Sequence, residues 1–147
     1  MSNFWRNWMN VWCGAIGLFG IVLVGGSLDI TSVPVRFLFN LLNRSDEFVL
    51  TPHLRFSLIV LGAVTIGWSL TLFAAIQAVH QLDKPSSKTI WMVIALSVMS
   101  WYIIDSSLSI ATGFWLNAIA NTSFIVTFLI PVLGSGVLVT QKPDHLQ

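Results

Sequence analysis

Apolar residues fill four long stretches of the chain, and short polar segments separate them. The stretches run approximately over residues 8–28, 56–79, 89–112 and 117–139. A helix needs about 20 mostly apolar residues to cross the roughly 30 Å of hydrocarbon in a bilayer. Each stretch reaches that length. The pattern therefore predicts an all-α fold, an integral membrane four-helix bundle in a single transmembrane domain.

The longest connection, residues 29–51, carries a helical pattern of its own. Ser32 and Pro34 are typical of a helix start. Polar residues such as Arg36 and Asn40 then recur at helical spacing among apolar neighbours. This pattern favours a short interfacial helix after the first span, lying in the headgroup plane. A loop packed on the end of the bundle is the alternative.

The other connections are short. Residues 83–87 form a short polar turn, in which Pro85 blocks helix continuation and Ser86 or Ser87 is expected to cap the third span. Gly113 can take the left-handed conformation that ends a helix, so spans three and four should form a tight antiparallel hairpin. An even number of spans places both termini on one side of the membrane.

Basic residues give a weak signal for orientation. One side of the predicted bundle would carry four of them and the other side three: Arg6, Lys84, Lys88 and Lys142 against Arg36, Arg44 and Arg55. The positive-inside rule then favours cytoplasmic termini for a multi-pass protein of the cell inner (plasma) membrane. The first stretch also has features of a secretory signal, because Arg6 precedes it and Gly25 and Gly26 end it. The tryptophans that crowd its start favour a retained span.

Composition supports a lipid-facing chain. The protein has 147 residues, of which 55% are hydrophobic and 9% charged, against roughly 25% charged in a typical soluble domain. The net charge of +1 gives no electrostatic footprint for nucleic acid. Cys13 is the only cysteine, which excludes an internal disulfide and a paired-cysteine metal motif. No catalytic residue and no cofactor are expected, since no phosphate loop or nucleophile motif is present.

Asp105 is the polar residue that most needs an explanation. It lies inside the third stretch, about 12 Å from Gly113 at 1.5 Å per helical residue. A carboxylate at mid-bilayer costs roughly 2.5–3.5 kcal/mol, so it should face the bundle and be hydrogen-bonded. Ser109 shares its helix face, and Asn121 of the fourth stretch lies within about one turn of its depth. These residues are expected to form a buried polar cluster.

Two interpretations of the cluster stay open. It is either a proton acceptor or polar anchor for a small ligand, or a polar contact that holds two helices in register. Trp68 and Trp101 lie deeper than the other tryptophans, which fall near span ends as in aromatic belts. The deep pair either lines a pocket for a flat ligand or fills the core. The candidate ligand-binding residues are Asp105, Ser109, Asn121, Trp101 and Trp68.

Glycines and histidines have plainer interpretations. Small residues in spans one, two and four are expected at helix contacts: Gly14, Gly17, Gly20, Gly62, Gly67, Gly134 and Gly136. His53 and His80 stand at opposite ends of the second span, about 40 Å apart. They cannot share a metal, and no metal site is expected.

Short segments resemble a known group of proteins. The run Trp101–Ser109, followed by Gly113, Asn117 and Asn121, is similar to a pattern in small bacterial four-helix membrane proteins. The segment from Leu61 to Trp68 is similar to theirs as well. These proteins are of the DoxX-like and domain-of-unknown-function type. The resemblance implies a four-helix fold and a bacterial inner-membrane location, and it implies no activity.

Three classes of function remain. The short loops and small-residue faces favour an accessory or interaction protein of a membrane complex. Its partners would be membrane lipids, other membrane-protein subunits or a second copy of the chain, and not nucleic acid. The alternative is a binder or carrier of a small lipophilic molecule, such as a quinone or lipid, using the polar cluster around Asp105. An enzyme ranks last.

Overall fold

A computed structural model describes residues 1–43 and 49–138 of the chain. Five α-helices occupy these residues, with a 3₁₀ turn at Asp29–Thr31 and no strand in the part described. The helices are α1 (Asn3–Gly25), α2 (Val33–Asn43), α3 (Pro52–Val79), α4 (Lys84–Ala111) and α5 (Trp115–Gly134). The predicted all-α four-helix bundle, with a short helix after the first span, is confirmed. The predicted end of the fourth span, Val139, lies outside the described residues.

The long helices begin earlier than the apolar stretches because polar residues serve as caps. The Thr51 hydroxyl accepts a hydrogen bond from the Leu54 amide at 3.2 Å, and Pro52 opens α3. At the start of α4 the predicted serine cap is wrong. The Asp83 carboxylate accepts from the Ser86 amide at 3.3 Å. Pro85 fits inside the first turn, where a missing N–H costs nothing.

α1, α3, α4 and α5 are each long and apolar enough to cross a membrane. Many large apolar side chains on their outer faces are exposed, including Val11, Leu96 and Leu133. In water such a surface would be costly, whereas in hydrocarbon it is the expected exterior. The chain is therefore a multi-pass membrane protein. Because there are four spans, the start of α1 and the end of α5 lie on the same side of the membrane.

α1 and α3 make the closest contact in the bundle. A Cβ atom added at Gly62 would lie 2.6 Å from the Gly20 carbonyl oxygen, so the two backbones nearly touch. The Ser69 hydroxyl of α3 donates a buried hydrogen bond of 2.7 Å to the Cys13 carbonyl of α1. The prediction that Gly17, Gly20 and Gly62 serve helix packing is confirmed, since all three are confined by the facing helix.

Other glycines behave differently. Gly14 and Gly67 have open space where a side chain would stand, so their predicted packing role within the bundle is wrong. Both lie on outer surfaces of their helices, away from the crossing. Gly136 has a φ of +65° and Gly113 a φ of +89°. These left-handed conformations end α5 and α4 respectively, as predicted for Gly113.

A proline inside α5 is accommodated by a tryptophan of α1. Pro131 has no N–H, so it cannot bond the carbonyl one turn earlier, at Thr127. The Trp8 indole N–H donates to that carbonyl oxygen at 2.9 Å. One turn along α1, the Trp12 indole donates to the Phe124 carbonyl at 3.3 Å. Neighbouring helices commonly satisfy freed backbone groups in this way in a membrane.

The end of the bundle that carries the N-terminus is densely packed. Its core draws on all four spans, with fully buried side chains including Met9, Ile76, Trp91, Val98 and Phe128. Trp91 is 0% exposed, so its predicted place in an interfacial belt is wrong. Because α4 starts at Lys84, Trp91 lies two turns inside the helix. This end leaves little room for any ligand.

The opposite end is covered by α2. Val35 is fully buried and packs against Gly26, where an added Cβ would lie 2.3 Å from the Val35 side chain. The Arg55 guanidinium of α3 donates to the Ser27 carbonyl at 2.7 Å and pairs with Asp29. α2 packs on α1 and α5, and the Arg55 contacts hold the turn before it against α3. α4 packs chiefly on α5, and its contact with α3 is sparse.

Candidate ligand-binding cavity

A partly open cavity of about 540 Å³ lies in the half of the bundle that α2 covers. Residues from α1, α2, α3, α4 and α5 all line it. Most of its wall is apolar, and six aromatic side chains contribute to it: Phe19, Phe39, Trp68, Trp101, Phe114 and Phe124. Four polar side chains also line it, all from α4 and α5: Asp105, Ser109, Asn117 and Asn121.

Three of these polar side chains form a closed hydrogen-bonded group. The Ser109 hydroxyl donates to Oδ1 of Asp105 at 3.0 Å. The Asn117 amide donates to the same carboxylate oxygen at 2.9 Å and to the Ser109 hydroxyl at 2.9 Å. All three residues are half-buried. We call Asp105, Ser109 and Asn117 the polar triad.

The predicted partnership between Asp105 and Asn121 is wrong. Asn121 is buried, and its amide donates to the Ser106 hydroxyl at 3.3 Å. Distance from the hairpin turn gave Asn121 the correct depth, but depth does not fix how α5 is rotated about its axis. Asn117, one turn nearer the hairpin, meets the carboxylate instead. Asn121 lines the same cavity beside the triad.

Trp68 and Trp101 form one wall of the cavity. Their ring centroids are 5.7 Å apart with planes inclined at 46°. Trp101 also meets Phe124 edge to face, with centroids 5.9 Å apart. The two tryptophans join α3 to α4, which otherwise touch sparsely. The two rings pack together and also line the cavity.

The triad leaves hydrogen-bond acceptors unused. Of the two carboxylate oxygens of Asp105, only Oδ1 accepts hydrogen bonds from other side chains within residues 1–43 and 49–138. Oδ2 of Asp105 and the side-chain carbonyl of Asn117 accept no bond from that part of the chain. By contrast, the donors of Ser109 and Asn117 are already used within the triad, on Oδ1 of Asp105 and on the Ser109 hydroxyl oxygen. The triad itself therefore presents acceptors rather than donors to the cavity.

Several residues that line the cavity lie outside the candidate set, among them Asn117, Phe19 and Phe39. Asn117 carried a signal, since it precedes Asn121 by four residues and shares its helix face. Phe19 and Phe39 carried none, because an aromatic residue in an apolar helix is equally common in lipid contact and in a core. Their contribution depends on where α1 and α2 meet, which periodicity does not specify.

The histidines do not contribute to this cavity. His53 lies in the first turn of α3 and His80 at its C-cap, at opposite ends as predicted. Across the described ranges, no three His, Cys, Asp or Glu side chains gather in a way that could hold a metal ion. Nε2 of His80 and the indole nitrogen of Trp91 are buried without a partner in the described part of the chain. Desolvation, followed by the N-terminus and Arg6, lowers the pKa of His80.

A second apolar groove runs along the outside of α1 and α5. It has a volume of about 490 Å³ and is lined mainly by Phe4, Trp8, Val11, Trp12 and Phe124. The Trp8 indole N–H is already committed to the Thr127 carbonyl. The described residues that line this groove include the polar Asn7 and Thr127 but no charged residue, so they offer no carboxylate like that of the inner cavity.

Comparisons with protein-family models, with curated proteins and with solved structures found no match to this chain. The residues of the cavity are therefore the basis on which a function can be assigned.

Proposed function

We propose that this membrane protein binds or carries a small lipophilic molecule, such as a quinone or lipid, in the cavity beside the polar triad. The observation that supports this most strongly is the position of the triad. A hydrogen-bonded carboxylate that served only to hold α4 against α5 would need no adjoining space. Here it borders a cavity of about 540 Å³ whose remaining wall is apolar and aromatic.

The size and chemistry of the cavity fit such a ligand. Small-molecule sites usually enclose about 300–1,000 Å³, with mostly apolar walls and a few polar groups that fix orientation. The six aromatic side chains would contact the lipophilic body of the ligand. The triad would hold its polar group, because a polar head left without a partner in this environment is costly.

The proposal is tested by filling the cavity. Ala120 lines it, and Ala120→Trp would occupy its space. Ala63→Trp is the matched control, because Ala63 is exposed on α3 and does not line the cavity. The three proteins are purified in mild detergent, and their bound small molecules are extracted and identified by mass spectrometry.

We expect a lipophilic molecule in equal ratio to protein with the wild type and with Ala63→Trp, and a loss of most of it with Ala120→Trp. Identification of the molecule separates a quinone from a lipid. Equal content in wild type and Ala120→Trp would mean that the bound molecule lies elsewhere, and the proposal would be abandoned.

The role as an accessory protein of a membrane complex has less support. It was predicted partly from small-residue faces, yet Gly17, Gly20 and Gly62 are used between α1 and α3. Gly14 and Gly67 remain on outer surfaces, where a second helix would find room. The accessory role, like the resemblance to DoxX-like proteins, stays a prediction.

We further propose a bacterial inner-membrane location with both termini cytoplasmic. The support is the excess of basic residues at the end of the bundle that carries the N-terminus, where Arg6, Lys84 and Lys88 lie. Fusion of alkaline phosphatase to the C-terminus should give an inactive reporter, and fusion of a fluorescent protein should give a bright one. The reverse pair of results would contradict this orientation.

A further inference from the structure

We infer that the molecule held in the cavity is a lipophilic amine, bound as its ammonium ion with the charge at Asp105. This inference rests on the proposed function and narrows it to one chemical class of ligand. Three independent features of the cavity lead to it: its charge, its hydrogen-bonding capacity and its aromatic wall.

The charge of the cavity is uncompensated. Asp105 is the one acidic side chain in the described lining, and that lining includes no Lys, Arg or His. Removing a carboxylate from water costs several kcal/mol, which a partner of opposite charge can offset. Acidic side chains within membrane spans commonly act as counter-ions of ligands. A cationic ligand would supply the partner that the described residues do not.

The unused hydrogen-bonding groups of the triad favour a ligand that donates hydrogen bonds. Oδ2 of Asp105 and the side-chain carbonyl of Asn117 remain as acceptors, while the Ser109 and Asn117 donors are taken up within the triad. A protonated amine has donors and no acceptor, so it matches the triad. A quinone presents only carbonyl acceptors, and to meet it at the triad a donor of Ser109 or Asn117 would have to give up its present bond.

The aromatic wall lies beside the carboxylate. Trp101 is four residues before Asp105, so the two side chains neighbour each other on one face of α4. Trp68 meets Trp101 with ring centroids 5.7 Å apart. Ammonium groups are attracted to the faces of tryptophan rings within about 6 Å, and the attraction is greatest where water is excluded. A cation at Asp105 would therefore lie beside the Trp101 ring, and the Trp68 ring lines the same cavity.

The test compares two probes that differ in charge. 1-Naphthylmethylamine is protonated at pH 7, and 1-naphthylmethanol has the same shape with a neutral hydroxyl donor. Their binding to the wild-type protein in detergent is measured by calorimetry at pH 7. We expect the amine to bind about tenfold or more tightly, since charge-assisted bonds are roughly twice as strong as neutral ones. Equal affinities, or tighter binding of the alcohol, would overturn the inference.

Variants locate the effect and separate the two proposals. Asp105→Asn should abolish the preference for the amine over the alcohol. A preference that survives in a folded Asp105→Asn protein would also overturn the inference, because the charge would then be recognised elsewhere. If both probes bind equally and Ala120→Trp abolishes their binding, the cavity binds lipophilic molecules but not as ammonium ions. If neither probe binds the wild type, or if both still bind Ala120→Trp unchanged, the proposed function fails as well.

Discussion

The crossing of α1 and α3 gives a stability prediction that follows directly from interatomic distances. In Gly62→Ala, the new Cβ atom would lie 2.6 Å from the Gly20 carbonyl oxygen and 2.8 Å from the Val24 amide nitrogen. Both are backbone atoms, so no side-chain rotation relieves the contact. Reaching an ordinary separation of 3.4 Å requires the helices to move apart by about 0.8 Å. Overpacking of this kind typically costs about 1–3 kcal/mol.

The matched control is Gly67→Ala on the same helix. Its added Cβ meets nothing within 4 Å, so the substitution retains only the gain in helix propensity, up to about 1 kcal/mol. Both variants share that gain, so the difference between their free energies of unfolding measures the cost of the steric overlap at Gly62. Unfolding by sodium dodecyl sulfate in mixed micelles, followed by circular dichroism, should show Gly62→Ala less stable than Gly67→Ala by about 1–3 kcal/mol. Equal stabilities would refute the close crossing.

Three further predictions concern polar groups. Asp105→Leu should lower the free energy of unfolding by about 1–3 kcal/mol, because it leaves the Asn117 amide short of an acceptor. Asp105→Asn should stay near wild type. A wild-type melting temperature for Asp105→Leu would contradict the hydrogen bonds of the triad. Trp8→Phe should cost about 1 kcal/mol in the same assay by leaving the Thr127 carbonyl without a donor, and no loss would mean that water or lipid replaces the indole. Stability should fall as the pH drops below about 6.5, because the pKa of His80 is lowered in the folded protein and the unfolded chain binds that proton more readily. The free energy of unfolding should therefore be smaller at pH 5.5 than at pH 8, and His80→Phe should reduce the difference.

The fold was predictable because lipid restricts the options. In hydrocarbon every backbone polar group must be satisfied within the chain, so long apolar stretches become helices. The four spans and the short helix after the first follow from hydropathy and helix-start signals. Helix starts were less predictable. Asp83 rather than Ser86 caps α4, because a helix can extend past the apolar stretch into polar residues that a hydropathy pattern leaves out.

The sequence predicted most residues of the site but only part of how they pair. Spacing identified Asp105 and Ser109 on one helix face, and both are in the triad. The partner on α5 was misassigned as Asn121 rather than Asn117, because the rotation of one helix against another depends on the side chains between them. The cavity itself depends on the sparse contact between α3 and α4. No local pattern in either helix specifies how closely they approach.

The two halves of the bundle differ in how completely side chains fill their interiors. At the end with the N-terminus, large side chains from all four spans fill the interior. At the other end, α2 packs on α1 and α5, the Arg55 contacts hold its preceding turn against α3, and the interior is left open beside the triad. A rigid half that holds the helices in place allows the open half to keep its polar and aromatic groups oriented without a ligand.

A density map of the purified protein in a lipid nanodisc would test the cavity at the polar triad most directly. The account predicts open space or ligand density between Trp68, Trp101 and Asp105, with the Asp105 carboxylate bonded to Asn117. A map in which side chains fill that space, or in which the carboxyl group points outward into lipid, would contradict it.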